Sequence, residues 1–181
     1  MGKLGPTQPN KSGIGTANDV VMTPRVTAKW IIDHFAPEGA ILEPCKGTGA
    51  FYDQFPEGQL TDWCEISEGK DFFDYKTKVD WIITNPPFSI FDRFLLHSFD
   101  IAENVVFFCP LNKVFKSMKI DGAIREYGGI KEVIHMGGGG RHGFPFGFPV
   151  GCIHYEKGYD GPINYTRQYD VDLRKQQPKL L

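Results

Sequence analysis

Short runs of β-branched and aromatic residues alternate along this chain with segments whose apolar residues recur at helical spacing. The runs lie at residues 40–42, leading into Glu43, and at 60–66, 79–84, 105–109, 130–135 and 150–155. Each has the length and composition of a strand. Between the third and fourth runs, Phe91, Phe94, Leu95 and Phe99 fall on one face of a helix. A first helix is predicted from Thr23-Pro24, a cap residue followed by proline at the first helical position. Val26, Trp30, Ile31 and His34 or Phe35 form its inner face, and it ends before Pro37. The Gly-rich stretch after Glu43 reads as a turn that opens another helix, and a weaker helical segment after Pro110 ends near Gly128-Gly129. Strands that alternate with helices pair in parallel, so the pattern predicts an α/β fold with a mostly parallel sheet and helices on both faces.

The polar stretches set the expected boundaries. Residues 1–17 hold almost no large apolar groups and are expected to form a flexible arm. Residues 18–158 are expected to form one domain, and 159–181, with Tyr159, Tyr165 and Tyr169 and a close on Arg174, Lys175 and Lys179, a C-terminal extension. Residues 137–149 carry four consecutive glycines, then Arg141-His142, then Phe144, Phe146 and Phe148 interleaved with Pro and Gly, and are expected to form a loop without regular structure.

Composition narrows the class. The chain has 181 residues, 41% of them hydrophobic and 23% charged, with 15 Phe for a core, which suits a single globular domain. A formal net charge of −2 supplies no global basic field, so nucleic-acid binding would need a local patch. Cys45, Cys64, Cys109 and Cys152 lack metal-ligand spacing and sit in apolar surroundings, which reads as free thiols in a reducing compartment. The five histidines show no ligand spacing either, so no metal is expected. No stretch approaches the roughly 20 apolar residues that span a bilayer, and a cytoplasmic protein is expected.

The chemistry-bearing residues cluster at strand ends. Asn85-Pro86-Pro87-Phe88 follows the run at 79–84, and ligands in open α/β sheets bind at such ends. Two prolines remove two backbone donors, which leaves the Asn85 side-chain oxygen and nearby carbonyls as acceptors suited to a planar amino group. Phe88 adds an aromatic face, the combination an extruded nucleobase needs, or else it packs into the core as part of a proline-punctuated loop. Glu43-Pro44-Cys45-Lys46-Gly47-Thr48-Gly49 follows the first run, where Gly47 and Gly49 allow close backbone approach. The third glycine of the dinucleotide fingerprint and the Gly-Lys-Ser/Thr of a phosphate loop are both missing. Glu43 would repel a phosphate yet hold the ammonium of an amino-acid-like ligand. Glu65, at the end of the second run, could take both hydroxyls of a ribose or stand solvated. Asp71 followed by Phe72 could accept from an adenine amino group under a covering ring, or Asp71 could cap a turn, with Asp74 as a rival.

Taken in order, Thr23-Pro24, Glu43-Pro44-x-x-Gly47-x-Gly49-x-Phe51, Glu65, Asp71-Phe72 and Asn85-Pro86-Pro87-Phe88 resemble the class I S-adenosylmethionine-dependent methyltransferases that modify exocyclic amino groups. The chain looks most similar to the adenine-N6 DNA methyltransferases, small phage-type members included, over roughly residues 20–155. The resemblance implies a Rossmann-like domain with a mixed seven-stranded sheet whose last strand is antiparallel. It implies S-adenosylmethionine as cofactor, with Thr23 near the methionine carboxylate, Glu43, Pro44, Gly47 and Gly49 around the methionine moiety and Glu65 on the ribose. Asp71 and Phe72 would meet the cofactor adenine. Asn85, Pro86, Pro87 and Phe88 would hold the target amino group, with Asn85 also facing the cofactor. Asp71 lies only six positions after Glu65, an abbreviated crossover, and the target-recognition domain expected of the family is missing from the match.

DNA is the expected partner, with RNA or a glutamine amide as alternative substrates and a catalytically idle cofactor-binding module as a third reading. Family members acting on glutamine more often carry Tyr at the position of Phe88. Arg141 and His142 could meet phosphate, and Phe144, Phe146 and Phe148 could stack on bases, unless the segment is a core-covering hairpin. Lys113, with Lys116 and Lys119, is either a basic strip near the site or a solvated helix face. A monomer and a homodimer are both open.

Overall fold

The computed structural model describes residues 21–113 and 117–169. The predicted N-terminal arm at 1–17, Lys116, and the basic close at Arg174, Lys175 and Lys179 lie outside the described residues. Among the described residues seven strands form one sheet: β1 (Ala40–Glu43), β2 (Leu60–Trp63), β3 (Val79–Thr84), β4 (Ala102–Pro110), β5 (Gly128–Gly138), β6 (Pro149–Lys157) and β7 (Asn164–Arg167). Their order is β2-β1-β3-β4-β6-β5-β7. The pairs β2/β1, β1/β3, β3/β4 and β5/β7 are parallel, and β6 runs antiparallel to both β4 and β5. All six predicted strands form, and the one at 150–155 is the antiparallel strand. The seventh comes from the segment read as a C-terminal extension: β7 lies parallel to β5 at the sheet edge, so the antiparallel strand is the sixth and not, as expected, the last.

Among the described residues three α-helices cover the sheet. α1 (Arg25–Phe35) packs on one face, where Ala28, Ile31 and Ile32 meet Ile83, Val106, Phe108 and Ile134. α2 (Phe91–Ile101) and α3 (Met118–Tyr127) pack on the other, where Phe91, Phe94, Leu95, Ile120 and Ile124 meet Ile82, Val105, Phe107 and Ile153. Adjacent β3 residues feed opposite layers, as the two-residue side-chain period of a strand requires. Each such fully buried Ile or Phe is worth about 1.5–3 kcal/mol relative to exposure, which is why a short strand buried on both faces is stable here.

The helices differ from the sequence expectation at two places. α1 begins one residue later than predicted, with Pro24 at the cap position and no side-chain cap bond. The helix expected after the glycine turn reduces to a single 3-10 turn, Tyr52–Gln54. Two further 3-10 turns, Ile66–Glu68 and Phe72–Asp74, carry the chain from β2 to β3, so this crossover is abbreviated as its length predicted. Residues 137–149 are also more regular than expected, since β5 runs to Gly138, a 3-10 turn spans Gly139–His142 and β6 begins at Pro149.

Candidate functional site

The chain leaves β1 toward β2 on one side and returns to β3 on the other, so the sheet order reverses between β1 and β3. At such a reversal the flanking loops diverge and open a crevice at the carboxyl ends of the strands. A cleft of about 420 Å3 lies there, lined by Thr23, Glu43, Gly47, Glu65, Asn85 and Pro87 among the expected residues, together with Val21, Met22, Cys45, Lys46, Ile66 and Ser67.

Glu43 ends β1 with only 1% of its surface exposed. The Tyr52 N–H donates to its Oε2 at 2.6 Å, and its other oxygen has no partner among the described residues. Burial pushes its pKa well above the usual carboxylate value despite that hydrogen bond, and the charges of Asp53 and Glu65 push the same way against Lys46. An acceptor on so buried a side chain, this close to two acids, calls for a cation. Gly49 makes the turn possible: its φ is +79°, and a Cβ there would sit 2.6 Å from an Asp53 carboxylate oxygen.

Glu65, just past β2, is fixed differently. Its Oε1 accepts from Ser67 N–H at 3.1 Å and Ser67 Oγ at 2.8 Å, and its Oε2 accepts from Gly47 N–H at 2.9 Å. Burial opposes ionisation, yet these bonds, with Lys46 nearby, hold its pKa below the usual value. Glu65 therefore stands ionised beside the glycine turn, tied to it, with a lone pair of Oε2 left for a hydroxyl donor.

Asn85 follows β3. Its Nδ2 donates to the Val21 carbonyl and to Thr23 Oγ1, each at 3.2 Å. A carbonyl can only accept, so the amide orientation is determined, and Oδ1 is left as an acceptor at the cleft. Pro86 is buried behind it. The Phe88 ring is half-buried, 5.6 Å from Phe144 and 6.3 Å from Phe146 between centroids, and the Phe88 carbonyl accepts from Lys113 Nζ at 3.2 Å. The corner at 85–88 is thus braced at both ends.

Sequence comparison matches the chain to no family model and to no curated protein. Structure comparison is different. A Listeria monocytogenes protein assigned to the class I S-adenosylmethionine-dependent methyltransferases superposes with a TM-score of 0.67 at 13% identity, over 87% of this chain and 68% of its own. A modification subunit assigned to a type I restriction enzyme of Vibrio vulnificus gives 0.62 at 12% identity, over 83% and 47%. The methyltransferase subunit of a Streptococcus thermophilus type I restriction-modification system gives 0.59 at 15% identity, over 81% and 47%.

The chain has the class I S-adenosylmethionine-dependent methyltransferase fold. It spans about half the length of the two restriction-system subunits. Within this methyltransferase fold, Thr23, Glu43, Gly47, Glu65, Asn85 and Pro87 gather around one cleft, with Pro44, Gly49, Pro86 and Phe88 in the segments that frame it. Other expected residues fall elsewhere. Thr23 does not cap α1, because its hydroxyl accepts from Asn85. Asp71 caps the 3-10 turn through Phe73 N–H at 2.9 Å, and Phe72 is buried against Phe94 and His97, so neither lines the cleft. His142 is 2% exposed, bonded to Thr27 Oγ1 and the Met136 carbonyl, with its pKa lowered by burial, and cannot reach a phosphate. Phe144 is core. Lys113 is engaged by the Phe88 carbonyl, while Arg141 is exposed, Phe146 half-buried and Phe148 62% exposed. Lys119 is exposed on α3. Sequence reasoning missed Met22, Ile66 and Ser67. An apolar residue directly after the strand-end Glu65 was the signal available for Ile66.

Proposed function

We propose that this chain transfers the methyl group of S-adenosylmethionine to the exocyclic N6 amino group of adenine in DNA. The observation that carries the reading is the fixed amide of Asn85, which lines the same cleft as Glu43 and the glycine turn and, with its Nδ2 tied to Val21 and Thr23, is left with Oδ1 as the acceptor.

The cleft fits such a cofactor. Glu43 offers a carboxylate oxygen on the cleft wall to an ammonium, Thr23 a hydroxyl to a carboxylate, Glu65 an ionised oxygen to ribose hydroxyls, and Ile66, 48% exposed, an apolar surface to a flat base. When bound, the cofactor supplies a methyl group on a sulfonium, already activated for displacement. What remains is the nucleophile. An aromatic amino nitrogen is weakly nucleophilic because its lone pair is delocalised. Asn85 Oδ1 and the Pro86 carbonyl, by accepting its two N–H groups, bias the nitrogen toward tetrahedral geometry and stabilise the positive charge that develops on it. Phe88, backed by Phe144 and Phe146, gives the extruded base a rigid stacking surface. The nitrogen's surplus proton leaves to water at the open mouth.

DNA is favoured as the substrate by the sequence resemblance and by the restriction-system subunits among the structural neighbours. The test is incubation of the purified chain with tritiated-methyl S-adenosylmethionine and, separately, DNA, RNA and protein. Label should enter DNA and be recovered as N6-methyladenine. Label in RNA or protein alone would move the substrate assignment, and failure of the chain to take up the cofactor would overturn the reading.

A further inference from the structure

The side-chain amide of Asn85 has two nearly isosteric ends, and only one of them can accept from an amino group. Reversing it would present two N–H groups where the reaction requires an oxygen. The reversed amide would also repel the N–H groups of the target. What fixes the choice lies 62 and 64 residues away in sequence, at Thr23 and Val21.

These two contacts differ in kind. The Val21 carbonyl accepts only, and so selects the NH2 end. Thr23 Oγ1 accepts the second N–H, which holds the amide plane as well as its polarity, since two bonds to one NH2 group fix its rotation. Having used a lone pair as acceptor, the hydroxyl keeps its own proton for donation. Thr23 is only 8% exposed and belongs to the cleft wall, so it stands between the cofactor side of the site and the acceptor side.

We infer that Thr23 is a positioning residue for Asn85: its hydroxyl holds the side-chain amide with Oδ1 turned to the substrate amino group, in addition to any contact it makes with the cofactor. The inference rests on the proposed role of Asn85 and deepens it. Chains of hydrogen bonds polarise one another, so the Thr23 bond also makes Oδ1 a better acceptor. A bond of this kind is worth about 1 kcal/mol net, corresponding to a five- to tenfold effect on rate.

Single-turnover methyl transfer at saturating S-adenosylmethionine reads the inference directly. Thr23→Val, which keeps the shape and removes the hydroxyl, should slow transfer about five- to tenfold, and Thr23→Ser should recover it to within about twofold. Calorimetric affinity for S-adenosylmethionine tells a cofactor contact from a positioning role. A double-mutant cycle excludes a merely structural effect: in an Asn85→Ala background, Thr23→Val should cost no further rate, because nothing remains to position. The inference is overturned if Thr23→Val weakens cofactor binding and leaves the single-turnover rate intact, or if its rate loss persists undiminished in Asn85→Ala. Either result would leave the proposed function standing. Full turnover by Asn85→Ala would remove both.

Discussion

Replacing Glu43 by Gln should move stability and cofactor affinity in opposite directions. When ionised in the folded protein, Glu43 is a carboxylate that is 1% exposed with Asp53 and Glu65 for neighbours, and its ionisation costs stability. Its folded pKa lies well above 4.5, so the folded state binds the proton more tightly than the unfolded chain does. That contribution is fully present below the unfolded value and is lost as pH rises through the raised folded value. Each unit of elevation corresponds to about 1.4 kcal/mol. Gln is neutral at every pH and its amide oxygen can still accept from Tyr52 N–H. At a pH above the raised folded value, Glu43→Gln should therefore raise the melting temperature by about 2–4 °C for each kcal/mol relieved, the scale for a domain near this size. The same variant should lose the partner of a desolvated ammonium, a loss of about 2–5 kcal/mol, or 30-fold and upward in Kd for S-adenosylmethionine. In the wild-type protein that affinity should improve as pH rises through the Glu43 pKa, and in Glu43→Gln the dependence should vanish. Thermal unfolding and isothermal calorimetry over a pH series that starts near 4.5 and rises measure both effects. A variant that melts lower and binds the cofactor as well as wild type would refute the reasoning, because Glu43 would then be a structural acceptor for Tyr52 alone.

Three further outcomes follow from other residues. Asn85→Ala should retain cofactor binding and lose on the order of 100-fold or more in methyl transfer rate, as when one preorganised group is removed from a transition state; rapid-quench assays measure it. Gly49→Ala, forced to keep φ near +79° with its Cβ 2.6 Å from Asp53, should cost about 1–2 kcal/mol in urea unfolding and weaken cofactor binding through the distorted turn. His154 is buried against Trp81 and Phe35, and burial, with the charges of Lys131 and His34 opposing Glu156, lowers its pKa to about 4. Its neutral form stabilises the fold above pH 6.5, and up to about 3 kcal/mol is lost as pH falls to about 4, so His154→Gln should flatten the pH dependence of urea unfolding in that window.

The six predicted strands and the helices at α1, α2 and α3 were legible because each buries a continuous face, and burial writes its period into the sequence. The helix expected after Gly49 was not, since Ala50, Phe51 and Phe55 are apolar but serve a compact turn, with Ala50 and Phe51 buried in the layer that α1 covers. The strand β7 carries the burial pattern of an exposed edge and gave no periodic signal. Among site residues, Glu43, Glu65 and Asn85 were readable from their places at strand ends. His142 and Phe144 were misplaced for a common reason: a Gly- and Phe-rich segment reads as a surface loop, but its aromatic rings found room beside Phe108 and Phe88.

By itself the sequence determined which residues could carry the chemistry, because strand ends, paired prolines and glycine turns are local features governed by backbone sterics. Only the tertiary structure decided which of them meet. Val21 and Thr23, ahead of α1, reach Asn85 at the end of β3, and Gly47, after β1, reaches Glu65, after the neighbouring β2. Contacts between residues so far apart in sequence are set by how the sheet closes, and no local period records them.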